Sequence, residues 1–289
     1  MTTTADVGLL AGRLQTVRYM HAVDLTLLLF DYVLTFGSEV SLIWPSRWTI
    51  SKTLYFLARY SPLFDVPILL YYSMVSNLSP EQCEQLQSAS SWGTVFGFAV
   101  AEAILILRTY ALSGQRRGVI VFFTSFWVVG ISVSIVLLAM FENTVVYGPP
   151  PSPFIPGCYM LQGNVIFAGI DFAIVLVNDT IIMAYTLWIG MKNYRHTRNP
   201  LIITLYTDGI IYYFFLCAIS ALNVATMLQA PSVTAQLFNT FLPVIHSILS
   251  TRIVLHVRDV ERRESERRTR SANQVNNNIS FVIDSETES

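Results

Sequence analysis

Charge is scarce in this chain, and positive charge is missing from whole stretches of it. Only 13% of its 289 residues are charged while 53% are hydrophobic, against about 25% charged in an ordinary soluble domain. The mean hydropathy of +0.51 excludes a typical water-soluble globule. Lysine is confined to Lys52 and Lys192, so no lysine is available in mid-membrane for a retinal Schiff base. The four histidines, His21, His196, His246 and His256, are scattered along the chain, which argues against a clustered zinc centre. No HExxH, GxSxG, P-loop or Rossmann pattern occurs, so we expect no enzyme, no catalytic residues, no metal and no cofactor. The basic tail is short, mixed with acid and adjacent to an apolar segment, which does not suit nucleic-acid binding.

What the chain has in abundance is long apolar runs. They fall at 19–44, 52–76, 90–112, 118–141, 163–189, 202–228 and 234–256, each long enough for the roughly 20 residues of helix that cross a hydrocarbon core. The expected fold is all-α, a polytopic integral membrane protein of seven transmembrane helices. Residues 1–18 form a short outer tail, 19–256 the membrane domain, and 257–289 a basic tail whose polar end, from 271, reads as disorder. The first apolar run is preceded by polar sequence and is too long for a signal peptide, so the first span is expected to act as the insertion signal.

The three connections NLSPEQCEQLQSAS, ENTVVYGPPPSPFIPGCYMLQGN and QAPSV contain no Lys or Arg, whereas the opposite side carries Arg47, Lys52, Arg116, Arg117, Lys192, Arg195, Arg198 and the Arg-rich tail. Basic loops remain cytoplasmic, so the N-terminus is placed outside and the C-terminus inside, in a plasma membrane. Arg13 and Arg18 oppose this assignment and are outvoted by the six connections. Cys217 lies within the sixth run, but Cys83 and Cys158 fall in two long outer connections, where they are candidates for a disulfide; two free thiols are the alternative if the loops point apart. Asn77-Leu78-Ser79 is a formal glycosylation sequon, followed by Pro80 close to the membrane.

Polar residues inside the runs are costly and face protein or water. In the first run His21, Asp24, Asp31, Thr35, Ser38 and Glu39 fall within an arc of roughly 100°. The fifth stacks Asn164, Asp171, Asn178 and Tyr185 with Asp179 beside them; the sixth groups Asp208, Tyr212, Asn223 and Thr226; the seventh groups Asn239, Pro243, His246 and Ser250. Interhelical hydrogen bonding accounts for the neutral members. The depth of the charged ones separates two layers. Glu39, Arg59, Arg108, Asp208 and Arg252 share a level near the cytoplasmic ends and are expected to form an ion network, which either locks the helices or acts as a bistable switch. Asp24, Asp31, Asp65, Glu102, Asp171 and Asp179, with His21 nearby and His246 in the core, are candidates to line an acidic cavity favouring a cation or protons. Placement at headgroup level is the alternative, with Asp24 first in line.

The segments DYVLTFGSEVSLIW (31–44), the following RW, KTLYFLARY (52–60), LRTYAL (107–112), LYTDGIIYYF (205–214) and SILSTRIVLHVR (247–258) together resemble a fungal, basidiomycete family of seven-helix membrane proteins, DUF6533, over about residues 15–258. The resemblance implies a fungal integral membrane protein and carries over no activity and no binding residues. The expected function is therefore taken from layout. A receptor-like protein senses a small-molecule ligand on the outer side and transmits it to a cytoplasmic signalling partner, with the lipid bilayer around it. LRTYAL lacks the acidic residue that precedes arginine in G-protein-coupled receptors, and FNTFLPVIHSIL offers only Pro243 where those have NPxxY. The alternative is a small-solute, cation or proton transporter that uses the mid-membrane carboxylates.

Overall fold

The computed structural model describes the backbone of residues 4–76, 78–148, 156–189, 191–192, 200–229 and 240–287, and within these the side chains of 8–76, 78–148, 156–189, 191–192, 212–227 and 240–274. Its helices are α1 (Thr4–Leu42), α2 (Ile50–Tyr60), α3 (Pro62–Met74), α4 (Pro80–Leu112), α5 (Arg117–Glu142), α6 (Val165–Ile189), α7 (Pro200–Gln229) and α8 (Phe241–Thr287). Four described helices, α1, α4, α5 and α6, are long and apolar enough to cross a membrane, and Tyr212–Met227 of α7 is a shorter apolar stretch. Their outward faces carry Phe30, Val33, Val121, Phe122, Val129 and Phe214 fully or half exposed. A face so apolar is unsuited to water and suited to lipid. The chain is an integral membrane protein.

Lipid tails are as apolar as leucine, so helices associate here through close packing and hydrogen bonds rather than by escaping water. The main cluster joins Leu105, Phe123, Ile182, Tyr213, Leu216 and Ile253 from α4 to α8. A second, around Phe98, Phe172, Val175 and Leu242, joins α4, α6 and α8. α8 touches α1, α2, α3, α4 and α7, and α4 touches α2, α3, α5, α6 and α8, so these two helices run through the middle of the bundle.

The second apolar run is one path broken in two. Pro62 cannot donate to Ala58 O, the acceptor four residues back, and α2 gives way to α3 at Ser61. The stranded carbonyl accepts instead from Ser247 Oγ of α8 at 2.6 Å. Local sequence fixes other ends. Ser79 and Gln82 form a reciprocal cap at the start of α4 with Pro80 in its first turn. Gly114 and Gln115 turn the chain into α5 through left-handed backbone, φ 72° and 58°.

The structure departs from the sequence expectations in three places. The long connection after α5 is not simply irregular: β1 (Val146–Gly148) pairs antiparallel with β2 (Tyr159–Gln162), so the fold is all-α apart from one small ribbon. α1 and α4 begin earlier than the apolar runs, at Thr4 and Pro80. α8 continues to Thr287 through residues expected to be disordered. After Pro243 the sequence contains neither proline nor glycine to stop it, and Arg263–Asp259, Arg262–Glu266 and Arg268–Glu264 pair one turn apart.

Candidate functional site

At one end of the bundle Cys83, in the first turn of α4, is disulfide-bonded to Cys158, just before β2. Two backbone bonds fasten the same strand to the end of α3: Gly157 N donates to Val75 O and Cys158 N to Tyr72 O, both at 3.2 Å. Gly157 has φ 85°, and a Cβ there would run into the Ser73 backbone, so this close approach requires glycine. Tyr72 Oη donates to Tyr147 Oη at 3.5 Å. Burial pushes the Tyr147 hydroxyl well above its ordinary pKa, and Tyr72, Glu84 and Glu142 add to the effect. The ribbon is thus a built roof.

Beneath the roof lies a cavity of about 180 Å³ bounded by α1, α3, α4, α5 and α6, with Thr240 at the approach to α8. Taking about 30 Å³ per water, it holds about six. Its wall is mostly apolar, including Leu69, Val95, Leu137, Phe167 and Phe172. Arg18 at the rim donates from Nη2 to Pro156 O at 2.9 Å. His21, 5% exposed, places Nδ1 3.1 Å from Thr240 Oγ1. Asp171 lines this cavity and also a smaller one of about 30 Å³ beside Ser134, Asn178 and Glu102.

Deeper in the bundle, His246 Nε2 of α8 lies 3.3 Å from Asp179 Oδ2 of α6, both side chains 1% exposed. The contact is ionic in distance, although neither ring nitrogen meets hydrogen-bond geometry. Ser220 Oγ of α7 donates to the same Asp179 oxygen at 3.0 Å. Phe98 packs edge-on to the His246 ring at 5.1 Å. Glu102 of α4 is hydrogen-bonded to Asn178 and lies within electrostatic reach of Asp171 and Asp179. One buried polar cluster therefore ties α4, α6, α7 and α8.

The six carboxylates expected around a single cavity are dispersed. Asp65 accepts from Thr94 Oγ1 at 3.1 Å between α3 and α4. Asp24 is completely buried against its neighbours and lies within hydrogen-bonding reach of Thr240. Asp31 belongs with the arginines: Arg252 Nε lies 2.6 Å from Asp31 Oδ1, and Arg59 Nη1 3.7 Å from Asp31 Oδ2. Backbone height alone misassigned it, because an arginine stem carries its charge well away from its own Cα.

Among the described residues, the ion pairs at the opposite end of α1 join Asp31, Glu39, Arg59 and Arg252. Arg59 Nε sits 2.5 Å from Glu39 Oε2, close but with its N–H off the contact line. Arg59 also donates to Tyr32 O at 3.2 Å and stacks over the Tyr32 ring at 4.8 Å. Glu39 accepts from Tyr60 at 2.9 Å, Trp44 at 3.2 Å and Tyr55 at 3.4 Å. Sequence reasoning missed these aromatic donors, although Tyr55 and Tyr60 bracket Arg59 in the sequence. The Arg108 guanidinium lies 5.8 Å from the Tyr213 ring, where Thr109, Thr186 and Tyr213 share hydroxyl contacts of 3.3 Å. Asp208 lies on the backbone of α7, but its side chain is outside the described residues.

The fold and these buried charges define a helical integral membrane protein. Residues 19–64, from Tyr19 of α1 to the first turn of α3, match the family model described as Family of unknown function (DUF6533). Asp31, Glu39 and Arg59 all lie within it. Comparison with curated proteins finds no match.

Proposed function

We propose that this chain is a seven-span, receptor-like membrane protein that binds a small molecule on its outer side and passes the event to its cytoplasmic face. In this reading α2 and α3 together make one broken span, and α1, α4, α5, α6, α7 and α8 make the others. The loops without basic residues and the disulfide-stapled ribbon lie outside, and the Arg-rich end of α8 lies inside. The observation that carries the reading is the cavity beneath the ribbon: it is walled by five helices, roofed by a fixed structure, and separated by the buried Asp179–His246 cluster from the arginine network at the far end. In this reading a ligand site and a bistable candidate stand at opposite ends of shared helices.

Transport of a small solute, cation or proton is the second reading. It is favoured by the cluster of Glu102, Asp171, Asp179 and His246, which offers ionisable groups at mid-depth. The two readings separate in proteoliposomes. A fluorophore on a cysteine introduced at exposed Ser41, in a Cys217→Ser background, should respond when small amphiphiles occupy the cavity, with no accumulation of solute or protons inside. Proton-coupled uptake without a response at residue 41 would favour transport.

A further inference from the structure

Two charged residues other than histidine line the roofed cavity among the described residues, and they are differently placed. Arg18 is turned to the rim, where its guanidinium holds Pro156 O. Asp171 lines the wall beside Phe172; its carboxylate is hydrogen-bonded to Ser134, while Oδ1 makes no hydrogen bond. A carboxylate oxygen left without a partner in a low-dielectric site is costly. Glu102 lies within electrostatic reach of both Asp171 and Asp179, so the surroundings of Asp171 are acidic. His21 supplies little compensation, since its Nδ1 is engaged with Thr240.

We propose that the cavity takes a small organic cation, a protonated amine on an apolar body, with the ammonium at Asp171 and the body against Phe167, Phe172 and Leu137. This deepens the receptor-like reading above and rests on it. An ammonium group in the cavity brings Asp171 a charge-assisted partner beside its bond to Ser134 and offsets the negative charge on this wall. A carboxylate ligand would meet like charge on the same wall, and an alcohol could donate to Asp171 but would bring no positive charge to offset the acids. The volume limits the ligand further. Room for about six waters falls below the roughly 300–1,000 Å³ of pockets for drug-sized molecules, which suits a single ring or short chain rather than a fused-ring compound.

The test uses the full chain in lipid nanodiscs at neutral pH with three probes of nearly equal size: phenethylamine, phenethyl alcohol and phenylacetate. Calorimetric titration should show saturable binding of the amine, binding of the alcohol about tenfold weaker, and none of phenylacetate. Asp171→Asn should weaken the amine about tenfold or more and leave the alcohol unchanged, while Asp171→Glu should recover part of the loss. An unchanged unfolding midpoint and elution profile for Asp171→Glu guards against simple misfolding. Val95→Trp, which fills the cavity, should remove all binding. If the alcohol or phenylacetate binds as tightly as the amine and Val95→Trp abolishes it, the cation preference is wrong while the cavity reading survives. Amine binding that ignores both Asp171→Asn and Val95→Trp overturns the proposal, and no binding of any probe to the unaltered chain overturns the cavity reading with it.

Discussion

Arg59 lies against two acids, and they are not equivalent. The Glu39 pair has side-chain exposures of 3% and 0%, whereas Arg252, the other cation on Asp31, is 41% exposed. Solvent and headgroups screen an exposed pair to about 1 kcal/mol or less, while removing one member of a buried pair costs about 3–5 kcal/mol. Glu39→Gln should therefore lower the unfolding midpoint in detergent far more than Arg252→Gln. A double-mutant cycle between Glu39 and Arg59 should show a coupling of about 0.5–3 kcal/mol, and strict additivity would mean that the two side chains are satisfied separately. The charged residues themselves were legible in the sequence, because carboxylates and arginines in apolar runs are conspicuous. Their pairing was not. Asp31 and Asp171 look alike in sequence, yet one meets two arginines and the other faces a cavity, and that difference depends on where α8 and α6 pass.

Among the elements, the broken span α2–α3 shows how much a single proline can demand of a neighbour. Ser247 donates to the carbonyl that Pro62 strands, and a membrane hydrogen bond of this kind contributes about 0.6–2 kcal/mol. Ser247→Ala should cost about 1 kcal/mol in chemical or thermal unfolding. In a Pro62→Ala background, where the backbone can close its own bond, the same substitution should cost measurably less; equal costs would show that the serine does not serve that carbonyl. The ribbon makes a second case. The disulfide closes a separation of 75 residues, and removing a bridge commonly costs about 2–4 kcal/mol. Cys83→Ser with Cys158→Ser should lower the unfolding midpoint and raise hydrogen exchange at Tyr147 and Tyr159. Periodicity reveals the helices, since it is local, whereas the run 52–76 reads as one span and its break at Ser61, before Pro62, emerged only in the structure. The ribbon was hidden, because strands of three and four residues leave no periodic signal and its register depends on the bridge to α4. The tail helix was hidden for a different reason: polar composition suggests disorder, while the paired charges and the absence of proline and glycine allow a helix.

At the scale of the molecule, the account places the roofed cavity outside and the Arg-rich end of α8 inside. An epitope before Thr4 should be reachable by antibody on intact cells and one after Ser289 only after permeabilisation. Labelling of both ends from one side would remove the seven-span reading. Whether a cavity at one end acts on the other depends on the helices that run between them, and the cavity can be filled without knowing its ligand. The most direct measurement is hydrogen exchange in lipid nanodiscs, comparing the unaltered chain with Val95→Trp. The receptor-like account predicts altered exchange at the far end, in residues 43–52 and 113–118, as well as around the cavity; changes confined to the residues that line the cavity would contradict it.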